Sequence, residues 1–156
     1  MTIMTSVQDN ISHNDINGNN ESSIESAIVI DDNRSDLLYN KMILKKSGIV
    51  NHIATFVSGK SALAYFKKLI PEQLAEKPNG NYVIFLDLYM PRMDGFKFLE
   101  EFKALGNEIT KHFKVYLITN STNPLDLQKA SKIPYIYGFV RKPITRNLLD
   151  VLKING

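Results

Sequence analysis

The sequence contains no cysteine, which excludes a disulfide framework and any thiolate metal site. No apolar run approaches the roughly 20 residues that span a bilayer, and no basic segment followed by an apolar stretch opens the chain. Neither a membrane anchor nor a signal peptide is expected, and the chain reads as cytoplasmic. Lysine and arginine are missing up to Ala27, where Asp9, Asp15, Glu21 and Glu25 stand among Asn, Ser and Thr. Such a composition has little apolar surface to bury, so residues 1–26 are expected to form a disordered acidic tail. A basic stripe with interleaved aromatics is lacking too. The lysines are scattered like ordinary solvated helix faces, and nucleic acid is not an expected partner. His13, His52 and His112 show no ligand spacing.

What is present is enough for one domain: 156 residues, 44% of them hydrophobic, with residues 27–156 as the folded unit. Taking the four acids of the tail from a formal net charge of +3 leaves +7, so an acidic partner surface would be attracted to it.

From Ala27 onward short apolar runs alternate with helical spacing. Ala27–Ile30 is a short strand, after which Asn33 can cap a helix carrying Leu37, Leu38, Met42 and Leu44 up to Gly48. A strand over Asn51–Val57 leads to a Ser58 cap and a helix burying Ala62, Leu63, Phe66 and Leu69; Pro71 and Pro78-Asn79-Gly80 then break the chain. The third strand, Tyr82–Asp87, precedes a turn at Asp94-Gly95 and a helix with Phe96, Leu99 and Phe102 inward. Val115–Ile118 is the fourth strand, followed by a helix over Pro124–Ser131 capped by Asn123. Tyr135–Val140 is the fifth, and a last helix carries Leu148, Leu149 and Leu152. Five strands alternating with five helices predict an α/β fold, a parallel doubly wound sheet with helices on both faces.

In such sheets functional groups collect at the carboxyl ends of the strands. Strand one ends in Asp31-Asp32, strand three in Asp87, strand four in Thr119 and strand five in Arg141-Lys142. Three carboxylates at one edge repel and call for cations. Lys142 supplies one, and a hard divalent ion such as Mg²⁺, bound by carboxylate oxygens, suits the rest and leaves room for a phosphoryl group. Thr119 adds a hydroxyl donor.

With these residues the chain resembles the receiver domain of two-component response regulators, most of all the stand-alone type. The likeness rests on Asp31-Asp32, Gly59-Lys60-Ser61-Ala62-Leu63, the run from Asp87 through Met90-Pro91 to Asp94-Gly95, Thr119, and Gly138 through Lys142-Pro143. It implies a (βα)5 flavodoxin-like fold and a phosphoacceptor, Asp87, charged by a histidine kinase or a histidine phosphotransfer protein. Mg²⁺ or Mn²⁺ would be held by Asp32, Asp87 and the backbone carbonyl of Tyr89, with Asp31 helping through water. Lys142 would neutralise charge on the transferring group, Thr119 would close on a phosphoryl oxygen, and Phe139 would shift inward. A cis peptide at Lys142-Pro143 is also implied.

Output would pass to a downstream protein by contact or onward phosphotransfer, read on the face of the helix after strand four, strand five and the last helix. Pairing of two copies through that face stays open. The chemistry would be self-directed phosphotransfer and dephosphorylation, not turnover as an enzyme. Two side chains depart from the family pattern: Tyr89, two residues past Asp87, and Asn120, directly after Thr119. Both would crowd the pocket, and Tyr89 is expected to slow water attack on an aspartyl phosphate. An unphosphorylated interaction module, a pseudo-receiver, is the alternative.

Two enzyme readings fare worse. Ala54 to Ser61 fits a relaxed P-loop, but Thr55-Phe56-Val57 favours extended strand over a loop of inward-facing amides. A dehalogenase-type phosphatase needs an acid two residues after its nucleophile, where this chain has Tyr89.

Overall fold

A computed structural model of the protein describes residues 23–154. Its elements in chain order are β1 (Ile24–Ile30), α1 (Arg34–Ser47), β2 (Val50–Phe56), α2 (Gly59–Lys68), α3 (Ile70–Glu76) and β3 (Tyr82–Asp87). They continue with α4 (Gly95–Lys103), α5 (Asn107–Thr110), β4 (Phe113–Thr119), α6 (Pro124–Ala130), β5 (Ile136–Arg141) and α7 (Arg146–Ile154). All strand pairs are parallel, in the order β2-β1-β3-β4-β5. The predicted sheet is present. Among the described residues seven helices accompany it, the two additional ones being α3 and α5.

Strands covered on both faces read as unbroken apolar runs, and residues 27–30 of β1 and 82–86 of β3 do so because alternate residues feed opposite cores. Ile28, Ile30, Ile84, Leu86, Val115 and Leu117 point to one side, where Phe66 packs its ring 5.0 Å from Phe102 and 5.1 Å from Phe113. Ala27, Val29, Val83, Phe85 and Ile118 point to the other, against Leu37 and Leu44 of α1 and Leu149 of α7.

The helix starts follow the expected capping chemistry. Asn33 Oδ1 accepts from the amides of Ser35 and Asp36, Ser58 from Ser61 and Asn123 from Leu125, while Asp94, read as a turn residue, also caps α4 by accepting from Lys97. Gly48 ends α1 in the left-handed region, at φ 69°. Pro71, read as a breaker, instead lies in the first turn of α3, where its missing amide costs nothing. Leu69, expected inward, is half exposed between α2 and α3, and in α4 Phe98 is fully buried where Phe96 is only partly so.

The first strand begins at Ile24, earlier than the boundary at Ala27. Glu25 is a buried strand residue, not part of a solvated tail: its carboxylate accepts from Asn51 Nδ2 at 2.9 Å and Lys77 Nζ at 3.0 Å, with His52 Nε2 at 3.5 Å. Residues 1–22, the greater part of the expected tail, lie outside the described residues. Among the described residues no helix is long and apolar enough to cross a membrane. The stretch read as a relaxed P-loop forms the end of β2 through Phe56, which leaves no loop of the kind that cradles a nucleotide phosphate.

Candidate functional site

The chain runs outward from β1 to β2 and, in the opposite sense, from β3 to β4, so the crevice between β1 and β3 at their carboxyl ends is the topological switch point. Asp31 follows β1 and Asp87 closes β3. One carboxylate oxygen from each of Asp31, Asp32 and Asp87 lies within 4.8 Å of the others. Asp31 is fully buried, Asp87 nearly so, and Asp32 is exposed. Gly95 opens α4 against this turn: a Cβ there would stand 2.8 Å from the Asp87 carbonyl oxygen, so only glycine lets the helix approach.

Lys142 reaches into the cluster from the end of β5. Its Nζ stands 2.7 Å from Asp31 Oδ2, 3.1 Å from Asp36 Oδ2 and 3.4 Å from Asp87 Oδ2. Two contacts fix the loop that carries it. The Lys142 amide donates to the Thr119 carbonyl at 3.4 Å, and the buried Asn40 of α1 accepts from the Ile144 amide at 3.3 Å. The Lys142-Pro143 peptide is cis.

Charge is unbalanced here: four carboxylates face one ammonium. Burial, and then the neighbouring charge of Asp31, push the Asp87 carboxyl up to about 6 against the pull of Lys142. Burial pulls the Lys142 ammonium down, but its hydrogen bond to Asp31 and the charges of Asp87 and Asp31 outweigh that and hold it above the ordinary lysine range. A donor set of three hard oxygens with a surplus of negative charge fits a hard divalent cation. Thr119 is buried at the end of β4, where its Oγ1 accepts from the Ser121 amide at 3.0 Å. Phe139 is half-buried and lines, with Thr119, Asn120 and Leu127, a groove of about 330 Å³ beside the site.

The response regulator receiver domain family matches residues 27–152. The chain belongs to that family. A two-component response regulator from Cytophaga hutchinsonii is similar in structure, with a TM-score of 0.72 at 26% identity, over 86% of this chain and 99% of that one. A receiver protein from Dyadobacter fermentans gives 0.68 at 28%, over 82% and 97%. The chemotaxis protein CheY4 of Vibrio cholerae, at 22% identity and a TM-score of 0.63 over 85% and 98%, shares the fold. No curated protein matches the chain. Receiver domains are phosphoacceptor signalling domains and generally bind Mg²⁺ at an acidic pocket; this chain has a cluster of three aspartates.

In this receiver the structure brings Asp31, Asp32, Asp87 and Lys142 together, with Thr119 on the neighbouring strand. The side chain of Tyr89 does not fill the pocket. It is 58% exposed, and its hydroxyl reaches Asp126 in the first turn of α6. Asn120 is likewise exposed. Sequence reasoning missed Asp36, which lies three residues after the Asn33 cap and reads as an ordinary acid of a first helical turn. No local pattern pairs it with a lysine 106 positions away.

Proposed function

We propose that Asp87 accepts a phosphoryl group from a phosphohistidine of a histidine kinase or histidine phosphotransfer protein in the cytoplasm. The observation that carries this is the nearly buried Asp87 carboxylate set beside the Lys142 ammonium at the mouth of the switch crevice. An Asp87 oxygen forms the new O–P bond while the P–N bond to the donor imidazole breaks, and the imidazole leaves with the electron pair and takes up a proton. Asp31, Asp32, Asp87 and the Tyr89 backbone carbonyl would hold Mg²⁺ or Mn²⁺, whose charge there offsets that of the phosphoryl oxygens. Lys142, already shared among three carboxylates, places a second cation beside the transferred group. Thr119 donates its hydroxyl to a phosphoryl oxygen after transfer, and Phe139 follows inward along the groove.

The added group brings about two negative charges to Asp87 and biases the packing of α6, β5 and α7. A downstream protein reads that face by contact, or receives the phosphoryl group in turn. Incubation with phosphoramidate and Mg²⁺ followed by intact mass tests the reading. A single phosphate adduct, absent from Asp87→Asn, is the expected result. No adduct in the wild type would favour an unphosphorylated interaction module.

A further inference from the structure

The β3–α4 and β4–α6 loops carry Tyr89 and Ser121, and side chains that phosphotransfer itself does not use join them. The Tyr89 hydroxyl donates to Asp126 Oδ2 and lies 3.3 Å from Ser121 Oγ. Ser121 Oγ donates to the same Asp126 oxygen at 2.9 Å and accepts from the Asn123 amide at 3.1 Å. Both residues are also tied back to the site. The Tyr89 amide donates to Asp87 Oδ1 at 3.4 Å, and the Ser121 amide donates to Thr119 Oγ1 at 3.0 Å. One route therefore leads from Asp87 through Tyr89 and another from Thr119 through Ser121, and they meet on a single oxygen of Asp126.

A phosphoryl group on Asp87 needs the Thr119 hydroxyl as a donor. If Thr119 moves toward it, the Ser121 amide must follow or lose its bond, and either response pulls on the contact of Ser121 with Asp126. Ser121 and Tyr89 both donate to that one carboxylate oxygen and lie against each other, and hydrogen bonds to a charged acceptor are the stronger kind, so this shared contact favours the arrangement without a phosphoryl group. We infer that Asp126 is a positioning residue of the phosphoacceptor site. It holds Tyr89 as a strut between the two loops and opposes the closure of Thr119 on the phosphoryl group. Asp126 touches no reacting atom and acts through Tyr89 and Ser121. The inference rests on the assignment of Asp87 as phosphoacceptor, and gives α6 a direct connection to it.

The test is calorimetric titration with beryllofluoride, a phosphoryl mimic, in the presence of Mg²⁺, on wild type, Tyr89→Phe, Asp126→Asn and the double variant. Tyr89→Phe keeps the ring and removes only the hydroxyl, and it carries the test alone if Asp126→Asn does not fold. Each single variant should bind beryllofluoride roughly three- to tenfold tighter, the equivalent of one hydrogen bond, and the double variant no tighter than Asp126→Asn. A merely structural contact would instead lower the thermal midpoint and leave affinity unchanged or weaker; that result, or effects that add in the double variant, overturns the strut. A wild type that takes up no beryllofluoride overturns the assignment of Asp87 itself.

Discussion

Replacing Asp87 by asparagine isolates the energetic strain of the acidic pocket. The carboxyl, ordinarily at 3.8, is pushed up to about 6 by burial and by Asp31. Well below pH 3.8 the side chain is protonated in both folded and unfolded chains and contributes nothing to their difference. Between pH 4 and 6 the folded chain keeps the proton that the unfolded chain has released, so stability falls as pH rises. Two pKa units at 1.36 kcal/mol each amount to about 3 kcal/mol, present in full above pH 7 as a cost of holding the charge. Asparagine carries no such charge. Without divalent metal, Asp87→Asn should be more stable than wild type by up to about 3 kcal/mol at pH 7.5, raising the thermal midpoint by roughly 6–12 °C. The advantage should shrink to well under about 1 kcal/mol by pH 4. Urea unfolding followed by circular dichroism at pH 4, 5, 6 and 7.5 in a chelator measures it, with the carboxylates outside the pocket common to both proteins and cancelling. An asparagine variant no more stable at pH 7.5, or one whose advantage ignores pH, would refute the reasoning.

Adding Mg²⁺ at a hundred times its dissociation constant should stabilise the wild type by about 2.7 kcal/mol and Asp87→Asn by clearly less, as read from melting curves. Lys142→Ala leaves Asp31 fully buried without its ammonium, and urea unfolding should show a loss of about 3–5 kcal/mol; a loss below about 1 kcal/mol would mean that the pocket is wetter than described. Gly95→Ala forces a methyl group onto the Asp87 carbonyl and should cost roughly 1–3 kcal/mol while slowing phosphoramidate labelling. Phe66→Ala, which empties the centre of four ring contacts, should cost about 3–5 kcal/mol in unfolding and leave the labelling site intact.

The central strands were legible because burial on both faces demands long apolar runs, and the acids that end those runs stand out against them. The helices beyond the predicted five were hidden for different reasons. Pro71 signals a break from the preceding helix and equally the first turn of the next, and the residues around it do not say which. The helix Asn107–Thr110 is one turn, too short for any periodicity to register. Glu25 marks the boundary error at β1: a charge among polar residues reads as solvated until Lys77 and Asn51, far along the chain, are seen against it. Asp36 and Asp126 follow the same logic. Each looks like a first-turn helix acid, and what distinguishes them is a partner that only the fold supplies.

The burial of Glu25 has a practical side. Ile24 and Glu25, where β1 begins, stand at the pole of the sheet opposite the aspartate cluster, separated from Asp31 by the length of β1, roughly 20 Å at about 3.3 Å per residue. A fluorophore or affinity handle placed at that pole, for example at the exposed His52 paired with Ser26 near the start of β1, therefore stands most of a strand's length from Asp87, which makes that end of the sheet the place to tether the protein in kinetic work.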